Sequence, residues 1–241
     1  MSKDAIYATP QEYIVDFAFD ERVASVFPDM IRRSVPGYGD IIALLGLFAE
    51  QYAQPGSTLY DLGCSLGAAT LSLRRRIKAD GCCIIAVDNA EAMVERCREH
   101  IAADLSPTPV EVNCADIREV VIQNASVVVL NFTLQFLPPH ERLALLQKIH
   151  RGLLPGGVLV LSEKIRFADE QSQRFQESMH LTFKRANGYS AMEVSQKRQA
   201  LENVLTPDTI EQHRERLSEA GFCQIEPWFQ VFNFASIAAF K

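Results

Sequence analysis

Positive charge is scarce in this chain: 24 Lys and Arg stand against 30 Asp and Glu in 241 residues, a net charge of -6. A surface of that sign repels phosphate at long range, so tight direct binding of nucleic acid is not expected. Long apolar runs are also missing. No stretch approaches the roughly 20 residues needed to span a bilayer. The N-terminal region carries Asp4, Glu12, Asp16, Asp20 and Glu21 where a secretory signal would need an apolar core. Both absences predict a cytoplasmic protein with no membrane contact. The six cysteines form no C-x-x-C pair and no Cys/His cluster, which predicts reduced, structural thiols and gives zinc or any other metal no foothold. No linker rich in Gly, Ser or Pro and no internal repeat divides the chain, so one domain over residues 1–241 is expected.

What is present has the composition of a globular protein, with 48% hydrophobic and 22% charged residues. From residue 58 to 164, short β-rich runs (58–62, 82–88, 110–116, 126–132, 158–163) alternate with amphipathic ones (65–78, 90–103, 138–154). Such alternation predicts a parallel sheet covered by helices on both faces. In the first helix Leu66, Ala69, Thr70, Leu73 and Ile77 form the apolar stripe. Arg74, Arg75, Arg76 and Lys78 crowd its end, where cations favour the helix dipole. Pro155-Gly156-Gly157 is expected to stop the third helix and turn the chain into its strand. Two helices, 21–34 and 38–51, precede this unit as a cap within residues 1–55. Segments 169–187, 191–203 and 207–220 follow as helices, with a helical insertion at 165–206. Strands 224–230 and 232–240 are joined too tightly for a crossover and must pair antiparallel.

The segment Asp61-Leu62-Gly63-Cys64-Ser65-Leu66-Gly67 leaves the first strand and opens the first helix. Glycines there let a ligand approach the backbone, but an acid beside the loop would repel a pyrophosphate and suit a ligand carrying an ammonium group. Asp88 ends the second strand, 21 residues after Gly67, where α/β folds place a carboxylate against a ribose diol. Its alternative role is to cap the following helix, which Asn89 would free it from by capping instead. Asp116 ends the third strand, and either its carboxylate or the backbone N–H of Ile117 is placed to read an adenine edge. Asn131 ends the fourth. All four strand ends lie on the edge where open α/β sheets bind ligands. None of the five histidines (100, 140, 150, 180, 213) falls in a ligand-edge motif, which predicts surface or structural roles for them.

DLGCSLG, AVDNA and NCADI, with the terminal strand pair, are similar to the class I S-adenosylmethionine-dependent methyltransferases. The resemblance implies their Rossmann-like α/β fold, a mostly parallel seven-stranded sheet with an antiparallel last strand. YATPQEYIVDFAFDERVASVFPDMIRRSVPGYGDII, LNFTLQF and WFQVFNFASIAAFK extend it over almost the whole chain, which resembles the carboxy-S-adenosyl-L-methionine synthases. That family implies S-adenosyl-L-methionine and prephenate as substrates, carboxy-S-adenosyl-L-methionine and phenylpyruvate as products, and no metal. It also implies a homodimer, and a separate tRNA uridine carboxymethyltransferase that uses the product on a wobble uridine. Position by position, it places the nucleoside against Tyr38, Gly63, Cys64, Ser65, Asp88, Asn89, Asp116, Ile117 and Asn131, with Arg198 as the reaction-specific residue on the added carboxylate. Taken alone, Ser195-Gln196-Lys197-Arg198 would read as a solvated helix turn.

In the chemistry the family implies, prephenate loses carbon dioxide and hydroxide as its ring aromatises. The hydroxide takes a proton from the sulfonium methyl, and the resulting ylide captures the carbon dioxide. Three other readings share the same binding loop. One is an ordinary methyltransferase of small metabolites, with no need for Arg198. Another, a methyltransferase of nucleic acid, is disfavoured by the charge and by Asn131-Phe132-Thr133-Leu134 lacking an Asn-Pro-Pro-aromatic pattern. The third is a non-catalytic S-adenosylmethionine-binding regulator.

Overall fold

The computed structural model describes residues 3–10, 13 and 15–241. Glu12, cited against a secretory signal, lies outside them, as do Gln11 and Ile14 in the first stretch of family resemblance. The chain runs α1 (Glu21–Ser34), α2 (Tyr38–Tyr52), β1 (Thr58–Leu62), α3 (Ala68–Arg74), β2 (Cys83–Asp88), α4 (Glu91–Ala103), β3 (Val110–Cys114), β4 (Ala125–Asn131), α5 (Pro139–Gly152), β5 (Leu153–Lys164), α6 (Glu170–Ala186), α7 (Ala191–Glu202), α8 (Ile210–Glu219), β6 (Gln224–Val231) and β7 (Phe234–Phe240). The strands form one sheet in the order β3-β2-β1-β4-β5-β7-β6. Strand β7 is antiparallel to both neighbours, and the other six share a direction.

Alternate residues of the central strands feed two separate cores, which is why these strands read as nearly continuous apolar runs. Leu59, Val127, Val129, Val158 and Val160 face Ile41 and Leu45 of α2 and Leu73 of α3. Tyr60, Val128, Leu130, Leu159 and Leu161 face Leu145 and Ile149 of α5 and Leu217 of α8.

Several boundaries differ from the sequence reading, and those of α5, β3 and α3 bear on the site. Helix α5 stops at Gly152, before Pro155-Gly156-Gly157, because Leu153 is already extended (φ -68°, ψ 141°) and pairs with Ala125 as the start of β5. Pro155, Gly156 and Gly157 instead lie within β5, in a bulge where pairing jumps from Ala125–Leu153 to Val127–Val158. Strand β3 ends at Cys114, two residues short of Asp116. Helix α3 spans only Ala68–Arg74 because Ser65 (φ 49°) and Gly67 (φ 83°) sit in the left-handed region. The basic run at the end of α3 is consumed locally: Arg74 donates to the Thr108 and Ile101 carbonyls, Arg75 pairs with Asp104, and Arg76 and Lys78 pair with Glu50.

Over the carboxyl ends of the strands, α1 and residues 3–10 are fastened to α6 and α7. Arg33 Nε donates to the Asn187 carbonyl (2.7 Å), His180 Nε2 to the Ser34 carbonyl (2.8 Å) and Lys197 Nζ to Ser34 Oγ (3.0 Å). The Tyr189 hydroxyl donates to Asp4 Oδ2 at 2.5 Å, and Gln196 Nε2 to the Tyr7 carbonyl at 3.0 Å. These long-range bonds join the two helical segments into a roof above the sheet.

Candidate active site

Between roof and sheet edge lies a cavity of about 550 Å³. Its floor is the set of strand ends picked out by sequence: Asp61 in β1 with Gly63, Cys64 and Ser65 following it, Asp88 at the end of β2 with Asn89, Asp116 and Ile117 after β3, and Asn131 at the end of β4. Tyr38 and Arg198, reached only through the family resemblance, line the same cavity from α2 and α7. All eleven positions are therefore brought together.

The loop after β1 is held open by its backbone. Gly63 has φ 87°, and a side chain at that position would collide with the Thr133 hydroxyl. Asp88 anchors the loop from below: Oδ2 accepts from the Ser65 N–H (2.8 Å) and Oδ1 from the Ala90 N–H (2.9 Å). Asn89 makes no cap, since the residue at the start of α4 is Ala90, with no side-chain bond. Asp88 thus organises both loop and helix entry while still facing the cavity. Burial pushes its carboxyl above the usual range, against the pull of those N–H groups.

Two acceptors of the floor lack partners. Asp61 Oδ2 accepts from Thr70 Oγ1 at 2.6 Å, but Oδ1 is buried with none among the described residues, and the same holds for Asn131 Oδ1. Unpaired buried acceptors are costly, and both residues line the cavity, so the pair fits the donor group of a bound ammonium. Burial raises Asp61 to about 6, with the Thr70 bonds pulling the other way. A cation at Oδ1 would favour the carboxylate form. Phe132, next to Asn131, holds a left-handed φ of 62° and lies 6.3 Å from the Tyr38 ring. The Tyr38 hydroxyl stays protonated, raised by burial and then by Asp61.

Asp116 is largely committed to Arg118, whose backbone N–H donates to Oδ1 at 2.8 Å and whose Nε donates at 2.9 Å. The Arg118 bonds hold the Asp116 carboxyl below its ordinary value. The Cys64 thiol is raised far above its ordinary value, first by its contact with the Cys97 thiol and then by burial, and is no thiolate nucleophile.

The roof and the end of β5 contribute residues that sequence reasoning missed. Lys164 from β5, Lys184 and His180 from α6, and Lys197 from α7 all line the cavity, beside Arg198. In sequence they are ordinary polar positions of amphipathic helices and of a strand end. Only the folding of α6 and α7 back over the sheet turns them inward. His180 is structural, as expected of the histidines, yet it sits on the cavity wall: its Nε2–H is used by Ser34 and its ring abuts Phe234 at 4.8 Å. Burial, then Lys184, lowers it to about 3, so it is neutral.

A sheet with one antiparallel strand, a glycine loop after β1, a carboxylate at the end of β2 and a cavity over the strand ends together define a class I methyltransferase-type fold for S-adenosyl-L-methionine. A family model described as "Methyltransferase domain" matches residues 59–157. Among solved structures, a putative S-adenosyl-L-methionine-dependent methyltransferase from Methanococcus maripaludis is similar with a TM-score of 0.61, 20% identity and 97% of both chains covered. Human N-acetylserotonin methyltransferase is similar with a TM-score of 0.64 and 15% identity, over 92% of this chain and 55% of that one. The carboxy-S-adenosyl-L-methionine synthase of Geobacter sp. (strain M21) is 64% identical over 239 residues, covering 99% of this chain and 98% of that protein. That of Shewanella loihica is 60% identical over 240 residues, covering 100% and 99%. The chain belongs to the carboxy-S-adenosyl-L-methionine synthase family. No helix of the described residues is long and apolar enough to cross a membrane.

Proposed function

We propose that this enzyme converts S-adenosyl-L-methionine and prephenate into carboxy-S-adenosyl-L-methionine and phenylpyruvate, within one unit in which residues 1–55 form a cap and 165–206 an insertion over the nucleoside site. The observation that carries the reading is the polarity of the cavity: the acceptors Asp61 and Asn131 on the floor, and on the opposite wall four cations, Arg198, Lys164, Lys184 and Lys197, against the carboxylates of Glu177 and the exposed Glu202. S-adenosyl-L-methionine alone has no need of so cationic a roof. A product bearing an extra carboxylate does, and a planar guanidinium is the group suited to it.

In this reading Asp88 takes the ribose hydroxyls and the Ile117 backbone N–H, with Asp116 held by Arg118, takes the adenine edge. Asp61 and Asn131 receive the amino group. Loss of carbon dioxide and hydroxide from prephenate aromatises its ring. The hydroxide removes a proton from the sulfonium methyl to give water, and the ylide attacks the carbon dioxide to close the new carbon–carbon bond. The side chains then bind, orient and exclude water rather than exchange protons, and the orienting supplies most of the rate. We further infer a cytoplasmic homodimer whose product passes to a tRNA uridine carboxymethyltransferase, with no tight tRNA contact of its own.

Mass spectrometry of a reaction containing both substrates tests this: a nucleoside heavier than S-adenosyl-L-methionine by one carbon dioxide should form with equimolar phenylpyruvate. Formation of S-adenosylhomocysteine on an added acceptor, with no heavier nucleoside, would establish the ordinary methyltransferase instead. Asp88→Ala should weaken the nucleoside at least about tenfold by calorimetry, since it removes one or two charge-assisted hydrogen bonds and the Ser65 anchor as well. Unchanged affinity would take the ribose away from Asp88.

A further inference from the structure

The roof cations are not equivalent. Lys197 Nζ has Asp4 Oδ2 at 3.8 Å and Ser34 Oγ at 3.0 Å, and is thereby spoken for. Lys164 feels Glu177, a neighbour on α6 whose carboxylate is itself held by Gln173 at 2.7 Å. Lys184 is different. It is buried, it lines the cavity, and the charged side chains that act on it, Lys197, Lys164 and Arg198, are all cations. Burial, compounded by those neighbours, lowers it to about 7. A buried ammonium among cations is unfavourable unless an anion from outside completes it. Glu202, the other carboxylate that α7 brings to the wall, is exposed.

Among the described residues, therefore, neither the buried Lys184 nor the exposed Arg198 on the same wall forms an ion pair, and the second substrate proposed above carries two carboxylates. One of these leaves as carbon dioxide and reappears on the nucleoside; the other remains on the phenylpyruvate. We propose that the two cations divide them: Arg198 holds the carboxylate that is transferred, and Lys184, backed by Lys164, holds the carboxylate that the second substrate keeps. This rests on the prephenate reading and adds to it a seat for the half of the substrate that departs. Because Lys184 comes from α6 and Arg198 from α7, the spacing between the seats is set by helix packing in the insertion. A monocarboxylate, filling only one seat, would not be aligned for transfer.

The two seats separate by experiment. Lys184→Met should raise the KM for prephenate at least about tenfold and weaken inhibition by phenylpyruvate to a similar degree, because both carry the retained carboxylate. Affinity for S-adenosyl-L-methionine and for carboxy-S-adenosyl-L-methionine should stay within about twofold, since neither carries it. Arg198→Ala should show the reverse pattern, losing carboxy-S-adenosyl-L-methionine and keeping phenylpyruvate inhibition. Lys184→Arg should recover much of the prephenate KM. Should Lys184→Met lose nucleoside binding, the milder Lys184→Gln decides by the same readouts. Turnover of prephenate by the wild type with a wild-type KM and wild-type phenylpyruvate inhibition in the Lys184 variants would overturn the retained-carboxylate seat alone. Absence of prephenate turnover in the wild type would overturn the function on which it rests.

Discussion

Arg142→Ala is expected to lower the unfolding free energy by about 3–5 kcal/mol, the range found when one partner of a buried ion pair is removed. The Arg142 side chain is fully buried in α5, and its guanidinium donates to Asp208 Oδ2 (2.6 Å) and to the carbonyls of Leu137 (3.0 Å), Gln135 (3.2 Å) and Thr206 (2.9 Å). Alanine would strand the Leu137 and Thr206 carbonyls, leave the Gln135 carbonyl with the Thr206 N–H alone (3.1 Å), and open a void between α5 and the segment before α8. Asp208 would keep Arg216 at 2.7 Å, so the loss should stop short of a fully orphaned carboxylate. Burial alone would raise Asp208, but Arg216 and Arg142 outweigh it and hold it below its ordinary range. Arg142→Met, which keeps most of the volume, should be less damaging. Urea unfolding with an unchanged m-value measures both. A shift under about 1 kcal/mol for Arg142→Ala would mean that water replaces the guanidinium at those carbonyls. Gln135, Leu137 and Pro207 line the cavity, so the variant should also bind nucleoside more weakly.

Nothing in the sequence marks Arg142. It occupies a polar position one turn into an amphipathic helix, and its partner Asp208 is 66 residues away. The same is true of Lys184, whose environment exists only once α6 packs under the cap. The strand ends were legible for the opposite reason. In an α/β unit the periodicity locates each strand, the strand's end locates the ligand edge, and an Asp or Asn at that point needs no distant partner to be noticed. Asp61, Asp88 and Asn131 were found on that ground. The errors lie where the fold overrides local rules: pairing of Leu153 with Ala125 ends α5 before the Pro-Gly-Gly stop is reached, and left-handed backbone at Ser65 and Gly67 delays α3. Tyr38 and Arg198 came from family resemblance, because a tyrosine at a helix start and an arginine in a polar turn carry no signal of their own.

Arg198 supports the sharpest functional prediction. It lines the cavity from α7 as an exposed residue, one position after the buried Lys197, which is tied to Ser34 and Asp4. That tether fixes the helix turn from which the guanidinium projects, so its cost of ordering on ligand binding is reduced. Arg198→Ala should weaken carboxy-S-adenosyl-L-methionine by about 30- to 150-fold, roughly 2–3 kcal/mol for a bidentate charge-assisted contact, and leave S-adenosyl-L-methionine little changed. Arg198→Lys should recover only part of the preference, because an ammonium keeps the charge and loses the planar fork. Both ligands must be titrated against wild type and both variants, since general loosening of α7 would depress the two affinities together. A parallel fall, or no fall in either, would put the new carboxylate elsewhere on the roof. Lys184 would then be the next cation to test, and the division of the two carboxylates between α6 and α7 would be lost with it.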